Sequence, residues 1–202
     1  VRERMQTVRD TIGFDNDLAV DCHWNYNVAD AVRLAAALED IKLLWIEDPI
    51  PPEAIAGLAQ VQASTPTPIA TGENQYFAPD FLRLMQEGRV RVIAPDAQKV
   101  GLTNMRHLGR LAECFAVSLA LHNISGPIGT LAAAHVSGTI PNVLAVEWHA
   151  ASVPFFNELL SGLDGELIRN GAIALDGRPG LGYRLNDDVA YRYRKPGEPF
   201  FE

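Results

Sequence analysis

Six short apolar runs of the sequence each end in a side chain that can bind a metal ion or transfer a proton. These residues follow one another at intervals of 23 to 26 positions, and they are Asp21, Glu47, Glu73, Asp96, His122 and Glu147. Such an interval is the length of one strand plus one helix. Because polar groups at the ends of successive parallel strands form the catalytic mouth of a (β/α) barrel, the pattern predicts an active site.

The first three of these residues, Asp21, Glu47 and Glu73, are carboxylates. Neighbouring strands lie about 4.8 Å apart, so carboxylates at three adjacent strand ends can converge on one point. Mg²⁺ prefers oxygen ligands at about 2.0–2.1 Å, and without a cation the mutual repulsion should raise at least one pKa. We therefore interpret the three as Mg²⁺ ligands. The alternative is a set of separate salt bridges to arginines on the surrounding helices.

His23 follows Asp21 by two positions. On a continuous strand both side chains would point to the same face, about 6.6 Å apart along the chain. This arrangement would put an imidazole beside the metal site. A solvent-exposed loop histidine is the alternative interpretation.

Asp96 and His122 end two successive predicted strands. A carboxylate beside an imidazole orients the ring, fixes its tautomer and raises its pKa, so the pair is a candidate general base. A purely structural Asp–His hydrogen bond is the alternative. Glu147 ends the next strand and is expected to share a hydrogen bond with a substrate carboxylate, unless it pairs with an arginine at the barrel rim.

Alternating strands and helices must position these groups. Nearly all the strands are apolar, as in parallel sheets that are buried on both faces. We expect the barrel part to occupy residues 1–148 and a loop-rich tail, with a hairpin in 171–183, to occupy residues 149–202. The expected strands are 17–22, 43–47, 67–72, 90–94, 117–121 and 143–147, and one of the helices should start at Pro51 and Pro52.

Composition narrows the class of protein further. The 202 residues are 48% hydrophobic with a net charge of −8, and they contain no cluster of lysine and arginine, so nucleic acid and anionic membranes are not expected partners. No apolar stretch reaches the roughly 18 residues of a membrane span. Cys22 and Cys114 are isolated, which is typical of reduced thiols in a cytoplasmic protein.

The order of motifs resembles the mandelate racemase-like branch of the enolase superfamily. The matching segments are VDCHW, WIEDP, TGEN, APDAQKVGL, LALHNISGPIG and VEWH. The resemblance implies an α/β fold, a partial TIM-like barrel with six strand units, whose first two strands and capping domain are absent from this chain. It also implies Asp21, Glu47 and Glu73 as Mg²⁺ ligands, His122 as the base with Asp96 as its partner, and Glu147 as a hydrogen-bond partner of the substrate carboxylate.

His23 is similar to the histidine that acid-sugar dehydratases of the galactonate and mannonate type carry after their first metal ligand. There it would protonate the departing 3-hydroxyl, and the product would be a 2-keto-3-deoxy acid. A racemase or epimerase of an α-hydroxy acid on the same fold and an inactive barrel fragment are the alternatives. We expect a small acid-sugar substrate and a homo-oligomer in which a further N-terminal segment or another chain completes the barrel.

Overall fold

Six parallel strands form one sheet whose spatial order follows their order in the sequence. The computed structural model describes residues 1–149 and 153–200. The strands are β1 (Val20–Asp21), β2 (Ile46–Glu47), β3 (Ile69–Thr71), β4 (Val92–Ile93), β5 (Ser118–Leu121) and β6 (Val143–Val146). This curled half-barrel confirms the predicted partial (β/α) barrel with six strand units.

Helices connect the strands and cover the outside of the sheet. They are α1 (Arg2–Ile12), α2 (Val28–Ala37), α3 (Ile55–Ala63), α4 (Ala78–Gln86), α5 (Ala97–Val100), α6 (Leu102–Cys114), α7 (Pro127–Ser137) and α8 (Asp187–Arg192). Local sequence explains several of their starts. Asn27 caps α2 by accepting a hydrogen bond from the backbone N–H of Asp30, and Pro127 begins α7, where a missing N–H costs nothing.

The core lies between the sheet and the helices. Its largest fully buried side chains come from both layers and include Ile46, Ile69, Phe81, Met105 and Leu119. The N-terminal helix is joined to this body by a buried cation. Arg9 is only 3% exposed, and its guanidinium donates hydrogen bonds to the backbone oxygens of Ile41, Lys42, Gly13 and Asn16. These acceptors offset the cost of burying the charge.

Two details differ from the expectations. The helix expected from Pro51 begins only at Ile55, because the residue before a proline avoids the α conformation and Ala54 N–H instead closes a turn onto Pro51 O. The hairpin expected in 171–183 is also wrong. An antiparallel pair forms instead between Leu160–Ser161 (β7) and Arg184–Leu185 (β8). The glycine-rich stretch between them is irregular, with turns, bends and one isolated antiparallel bridge between Arg169 and Ala172.

The described part of the predicted tail packs through its own apolar cluster, in which Phe156, Leu160 and Leu167 contact Leu131 of α7. Residues 150–152 and 201–202 of that tail lie outside the described residues. Cys22 and Cys114 do not form a disulfide. Across residues 1–149 and 153–200, no helix is long and apolar enough to cross a membrane.

Candidate functional site

The six residues singled out by their spacing all lie at the carboxyl ends of the six parallel strands. Two of them, Asp21 and Glu47, are the last residues of β1 and β2 and face each other in register. His122 and Glu147 directly follow β5 and β6, whereas Glu73 and Asp96 lie a few residues beyond β3 and β4. Since parallel strands end at one edge of the sheet, the topology brings these groups to a single mouth.

His122 and Asp96 form a buried pair. Their side chains are joined by a 2.9 Å hydrogen bond between His122 Nδ1 and Asp96 Oδ2, and the two residues are 8% and 4% exposed. The second carboxylate oxygen of Asp96 accepts the backbone N–H of Gln98 at 2.7 Å and so caps α5. Asp96 is therefore held from two sides, and it fixes the orientation of the imidazole.

The other ring nitrogen of His122 faces two more carboxylates. His122 Nε2 lies 3.6 Å from Glu73 Oε2 and 4.0 Å from Glu147 Oε2. Burial alone would lower the pKa of His122, but the Asp96 hydrogen bond and the charges of Glu73 and Glu147 outweigh it, so the pKa is raised. Burial likewise raises the pKa of Asp96, yet its bonds to His122 and Gln98 leave it lowered overall. The pair is thus an ionised carboxylate beside an imidazole that readily takes up a proton.

Glu147 is positioned by a residue that the motif analysis did not select. Asn123 is 3% exposed, and its backbone N–H donates to Glu147 Oε2 at 3.1 Å. Its side-chain amide donates to the backbone oxygen of Glu147 at 2.9 Å and to Thr130 Oγ1 at 3.0 Å. The only sequence signal for this role is the position of Asn123 directly after His122.

Glu47 lies at the wall of a small cavity. The cavity has a volume of about 160 Å³ and is lined by Trp45, Glu47, Ala120, Leu121, His122, Ala145 and Glu147. The indole of Trp45 donates to Glu47 Oε2 at 2.8 Å, which lowers the pKa of that carboxyl. Burial is the stronger effect and, together with the nearby charges of Asp21, Asp48 and Glu147, it raises the pKa of Glu47 to about 7.

The turn after β1 corrects the geometric argument for His23. The strand ends at Asp21, and His23 and Trp24 both have positive φ angles, of 46° and 58°. The alternation of side chains along a strand therefore does not extend to His23, which is exposed and donates its backbone N–H to Asp21 Oδ1 at 2.9 Å. His23 still lies at the mouth edge of the sheet, next to Asp21 in the chain.

The proposed metal ligands fit Mg²⁺ by their chemistry. Asp21, Glu47 and Glu73 supply hard oxygen donors on three consecutive βα units. Burial is the main cause of the raised pKa of Glu47, and the nearby negative charges that add to it are a repulsion that a cation would relieve. The predicted convergence is not formed, however. Among residues 1–149 and 153–200, no three His, Cys, Asp or Glu side chains are gathered closely enough to hold a metal ion.

Two further polar residues at this edge were not predicted. Asp48 follows Glu47 directly, is buried, and accepts a hydrogen bond from Thr71 Oγ1. Lys99 donates to the backbone oxygen of Glu73 at 2.8 Å and to Asn74 Oδ1 at 2.7 Å. The sequence offers a signal for Asp48, because this acid directly follows the strand-end acid Glu47. It offers none for Lys99, whose contacts join residues 25 or more positions apart and depend on the fold.

Comparison with known proteins gives consistent results. Among curated proteins, the D-xylonate dehydratase of Haloferax volcanii is 38% identical over 201 residues, which is 99% of this chain and 48% of the relative. The D-gluconate/D-galactonate dehydratase of Picrophilus torridus is 32% identical over 186 residues, covering 92% of this chain and 47% of the relative. The chain therefore spans about half the length of these curated relatives.

The fold has equally similar counterparts among solved structures. A mandelate racemase/muconate lactonizing enzyme-like protein from Rubrobacter xylanophilus superposes with a TM-score of 0.95 at 39% identity, covering 100% of this chain and 51% of that one. Residues 1–189 match the family described as Enolase C-terminal domain-like. The resemblance inferred from the strand-end motifs is thereby confirmed, and the chain belongs to the enolase C-terminal domain-like family.

Proposed function

We propose that the protein to which this chain belongs dehydrates an acid sugar by removing the α-proton and eliminating the 3-hydroxyl. The observation that carries the proposal is the buried Asp96–His122 pair. His122 Nδ1 is hydrogen-bonded to Asp96 at 2.9 Å, and His122 Nε2 faces the carboxylates of Glu73 and Glu147. Relatives named as D-xylonate and D-gluconate/D-galactonate dehydratases support this reaction class.

His122 is the proposed base. With its Nδ1–H donated to Asp96, the neutral ring presents the Nε2 lone pair, which takes the proton from the carbon next to the substrate carboxylate. The electron pair of the broken C–H bond moves towards that carboxylate. Asp96 then stabilises the imidazolium, because its own pKa is lowered and it stays ionised.

Asp21, Glu47 and Glu73 are the residues that would hold Mg²⁺, and the bound ion would supply positive charge to the substrate carboxylate as negative charge develops there. Glu147 is proposed to share a hydrogen bond with the same carboxylate. Its Oε2 is 4.0 Å from His122 Nε2, so a group bound between them would contact both the base and this hydrogen-bond partner.

His23 is the proposed acid for the second half of the reaction. Electrons returning from the substrate carboxylate form the C2–C3 double bond and break the bond to the 3-hydroxyl, which leaves as water after taking a proton from His23. The enol that results rearranges to the 2-keto-3-deoxy acid. Racemisation or epimerisation would need no such acid, and His23 is therefore the residue that separates the two reaction types.

The direct test uses protein expressed from the complete gene. Formation of 2-keto acid is measured with Mg²⁺ over a panel of aldonates and aldarates that begins with xylonate, gluconate and galactonate, and each reaction is repeated with EDTA. A strong signal that EDTA removes would support the proposal. A folded, Mg²⁺-binding protein that is silent over the panel would contradict it.

Two variants assign the roles of the histidines. His122→Asn should abolish both product formation and exchange of the α-proton in D₂O. His23→Asn should abolish the product but retain most of the exchange, and His107→Asn, at an exposed position of α6, is the matched control. Exchange that is lost equally in His23→Asn would show that His23 is not the leaving-group acid, and exchange without product in the wild type would favour racemisation or epimerisation.

The assembly and cellular setting stay predictions. We expect a cytoplasmic homo-oligomer with no nucleic acid or membrane partner, in which residues 1–148 form the barrel part and residues 149–202 the tail. Light scattering of the complete protein would test the oligomeric state.

A further inference from the structure

Asp48 is a buried acid beside the site that the proposed reaction does not use. It is 1% exposed and has a φ of 42°, in the left-handed region that non-glycine residues rarely adopt. Strained backbone of this kind persists where the surrounding structure holds it, and it is concentrated at functional sites. The carboxylate therefore stands at a fixed point immediately after Glu47.

Only one oxygen of this carboxylate has a hydrogen-bond donor. Asp48 Oδ1 accepts from Thr71 Oγ1, at the end of β3, whereas Oδ2 is buried without a hydrogen-bond partner among the described residues. The indole Nε1–H of Trp24 is likewise buried, and it has no hydrogen-bond acceptor within the described part of the chain. A buried acceptor and a buried donor left unpaired are each costly, so both atoms need an explanation.

Asp48 and Trp24 already face each other. The backbone N–H of Trp24 donates to Asp48 O at 2.7 Å. Burial raises the pKa of the Asp48 carboxyl to about 7, and the nearby Thr71 hydroxyl and Trp24 indole offset only part of that rise. Between Nε1 and Oδ2 the geometry of a hydrogen bond is not reached. A hydrogen bond between Nε1 and Oδ2 would satisfy both atoms at once.

The indole in turn supports His23. The two ring centroids are 4.3 Å apart with the planes inclined by 32°, and both residues hold left-handed φ angles in the turn that follows β1. Where the indole lies therefore decides where the imidazole of His23 can lie. The turn is exposed on the His23 side and is held on the Trp24 side by Asp48.

We propose that Asp48 is a positioning residue whose carboxylate holds the Trp24 indole and thereby places the imidazole of His23 at the mouth. The assignment rests on the proposed function, because His23 matters only if a hydroxyl leaves. The carboxylate of Asp48 accepts from Thr71 at the end of β3, and the backbone oxygen of Asp48 accepts from Trp24 in the turn after β1, so one residue links the strand end before Glu73 to the segment that carries His23.

The first variant is Asp48→Asn, which keeps the size of the side chain. Its amide oxygen can still accept from Thr71 Oγ1, but its NH₂ then faces the Trp24 N–H, donor against donor. Trp24→Phe removes the donor from the other side. We expect each variant to lower the ratio of 2-keto acid formed to α-proton exchanged by about 10²-fold, the cost of misplacing a catalytic group by about 1 Å.

The double variant separates a direct pair from two independent effects. If Asp48 acts through Trp24, the double variant should lose little more than either single variant. Asp80→Asn, in the first turn of α4, is the matched control and should leave the ratio unchanged. All variants are made in the protein expressed from the complete gene.

A measurement that does not depend on activity accompanies the kinetics. The ¹H–¹⁵N resonance of the Trp24 indole, identified by its loss in Trp24→Phe, should shift in Asp48→Asn and exchange faster with solvent, and it should be unchanged in Asp80→Asn. If the shift and the solvent exchange of the Trp24 indole resonance are the same in Asp48→Asn as in the wild type, the proposal is overturned, whether or not the enzyme is a dehydratase.

The kinetic measurements likewise have one outcome that supports the proposal and one that overturns it. A lowered elimination-to-exchange ratio in both single variants, without further loss in the double variant, supports the positioning role. Equal losses of elimination and exchange would mean that Asp48 acts on Glu47 or on folding, and this would overturn it. If the wild type forms no 2-keto acid, the proposed function fails, while the indole resonance still decides whether Asp48 holds Trp24.

Discussion

Replacing Asp96 by asparagine should separate the two jobs that its carboxylate performs. Oδ2 accepts from His122 Nδ1 at 2.9 Å, and Oδ1 accepts from the backbone N–H of Gln98 at 2.7 Å. An asparagine side chain has one oxygen and one NH₂, so it can satisfy only one of these donors. Either the histidine or the start of α5 must lose its acceptor.

The magnitude follows from which contact survives. If the oxygen stays with Gln98, the NH₂ faces His122 Nδ1, and the ring must carry its proton on Nε2, where the base needs a lone pair. Loss of a general base costs about 10²–10⁴-fold, and about 10⁴-fold where the wrong tautomer is imposed, equivalent to about 3–5 kcal/mol of barrier. If the oxygen turns to His122 instead, the lost cap costs about 1 kcal/mol of folding stability.

The assay is α-proton exchange in D₂O, followed by ¹H NMR on the best substrate of the panel, together with the ¹⁵N shifts of His122, which report its tautomer. We expect exchange to fall by at least about 10²-fold and the population of the Nε2–H form to increase. Asp80→Asn is the control for the same chemical change at α4. Exchange within about threefold of the wild type, with His122 still protonated on Nδ1, would refute the assignment of this pair as the base.

Three further predictions concern stability and reactivity. Gly72→Ala should destabilise the fold by about 1–3 kcal/mol in urea unfolding, since Gly72 has a φ of 124° and a Cβ would lie 2.9 Å from Phe81; an unchanged midpoint would contradict this. Burial and neighbouring charges raise the pKa of Glu47 from its ordinary 4.5 to about 7. Between these two pH values the folded state holds a proton that the unfolded chain has released. Without metal, the free energy of unfolding should therefore fall as pH rises from about 4.5 to 7. Glu47→Gln should flatten that decline, and an equal slope in both proteins would refute the cause. Burial also raises the pKa of Cys22 to about 12, so at neutral pH a thiol reagent should label exposed Cys114 at least about tenfold faster than Cys22, and equal rates would show that the turn over Cys22 opens readily.

The periodic placement of polar residues after apolar runs was enough to predict the fold class. Each run became a strand, because alternation of strands and helices over short connections allows few arrangements. The partnership of Asp96 and His122 was predictable for the same reason. Their strands are neighbours in sequence, and in this topology that makes them neighbours in space.

The turn after β1 could not be predicted in the same way. Side-chain alternation applies only while the chain stays extended, and the strand ends at Asp21, so the position of His23 depends on two left-handed residues and on the contact of Trp24 with Asp48. Spacing along the chain also could not predict whether the three carboxylates close around one point, which they do not do among the described residues. Backbone register brings Asp21 opposite Glu47, but side-chain rotamers decide whether their oxygens meet.

The sequence by itself determined which chemical groups stand at the mouth and in which order, because hydrophobic periodicity sets the strands and the residue after each strand is then placed by topology. Only the tertiary structure decided how those groups are oriented and charged. Packing brings together the atoms responsible for three features of the site. These are the cap that Asp96 provides to α5, the hydrogen bond from Asn123 to Glu147 and the raised pKa of Glu47. Hydrogen-bond geometry and desolvation act over a few ångströms, a scale that spacing along the chain does not resolve.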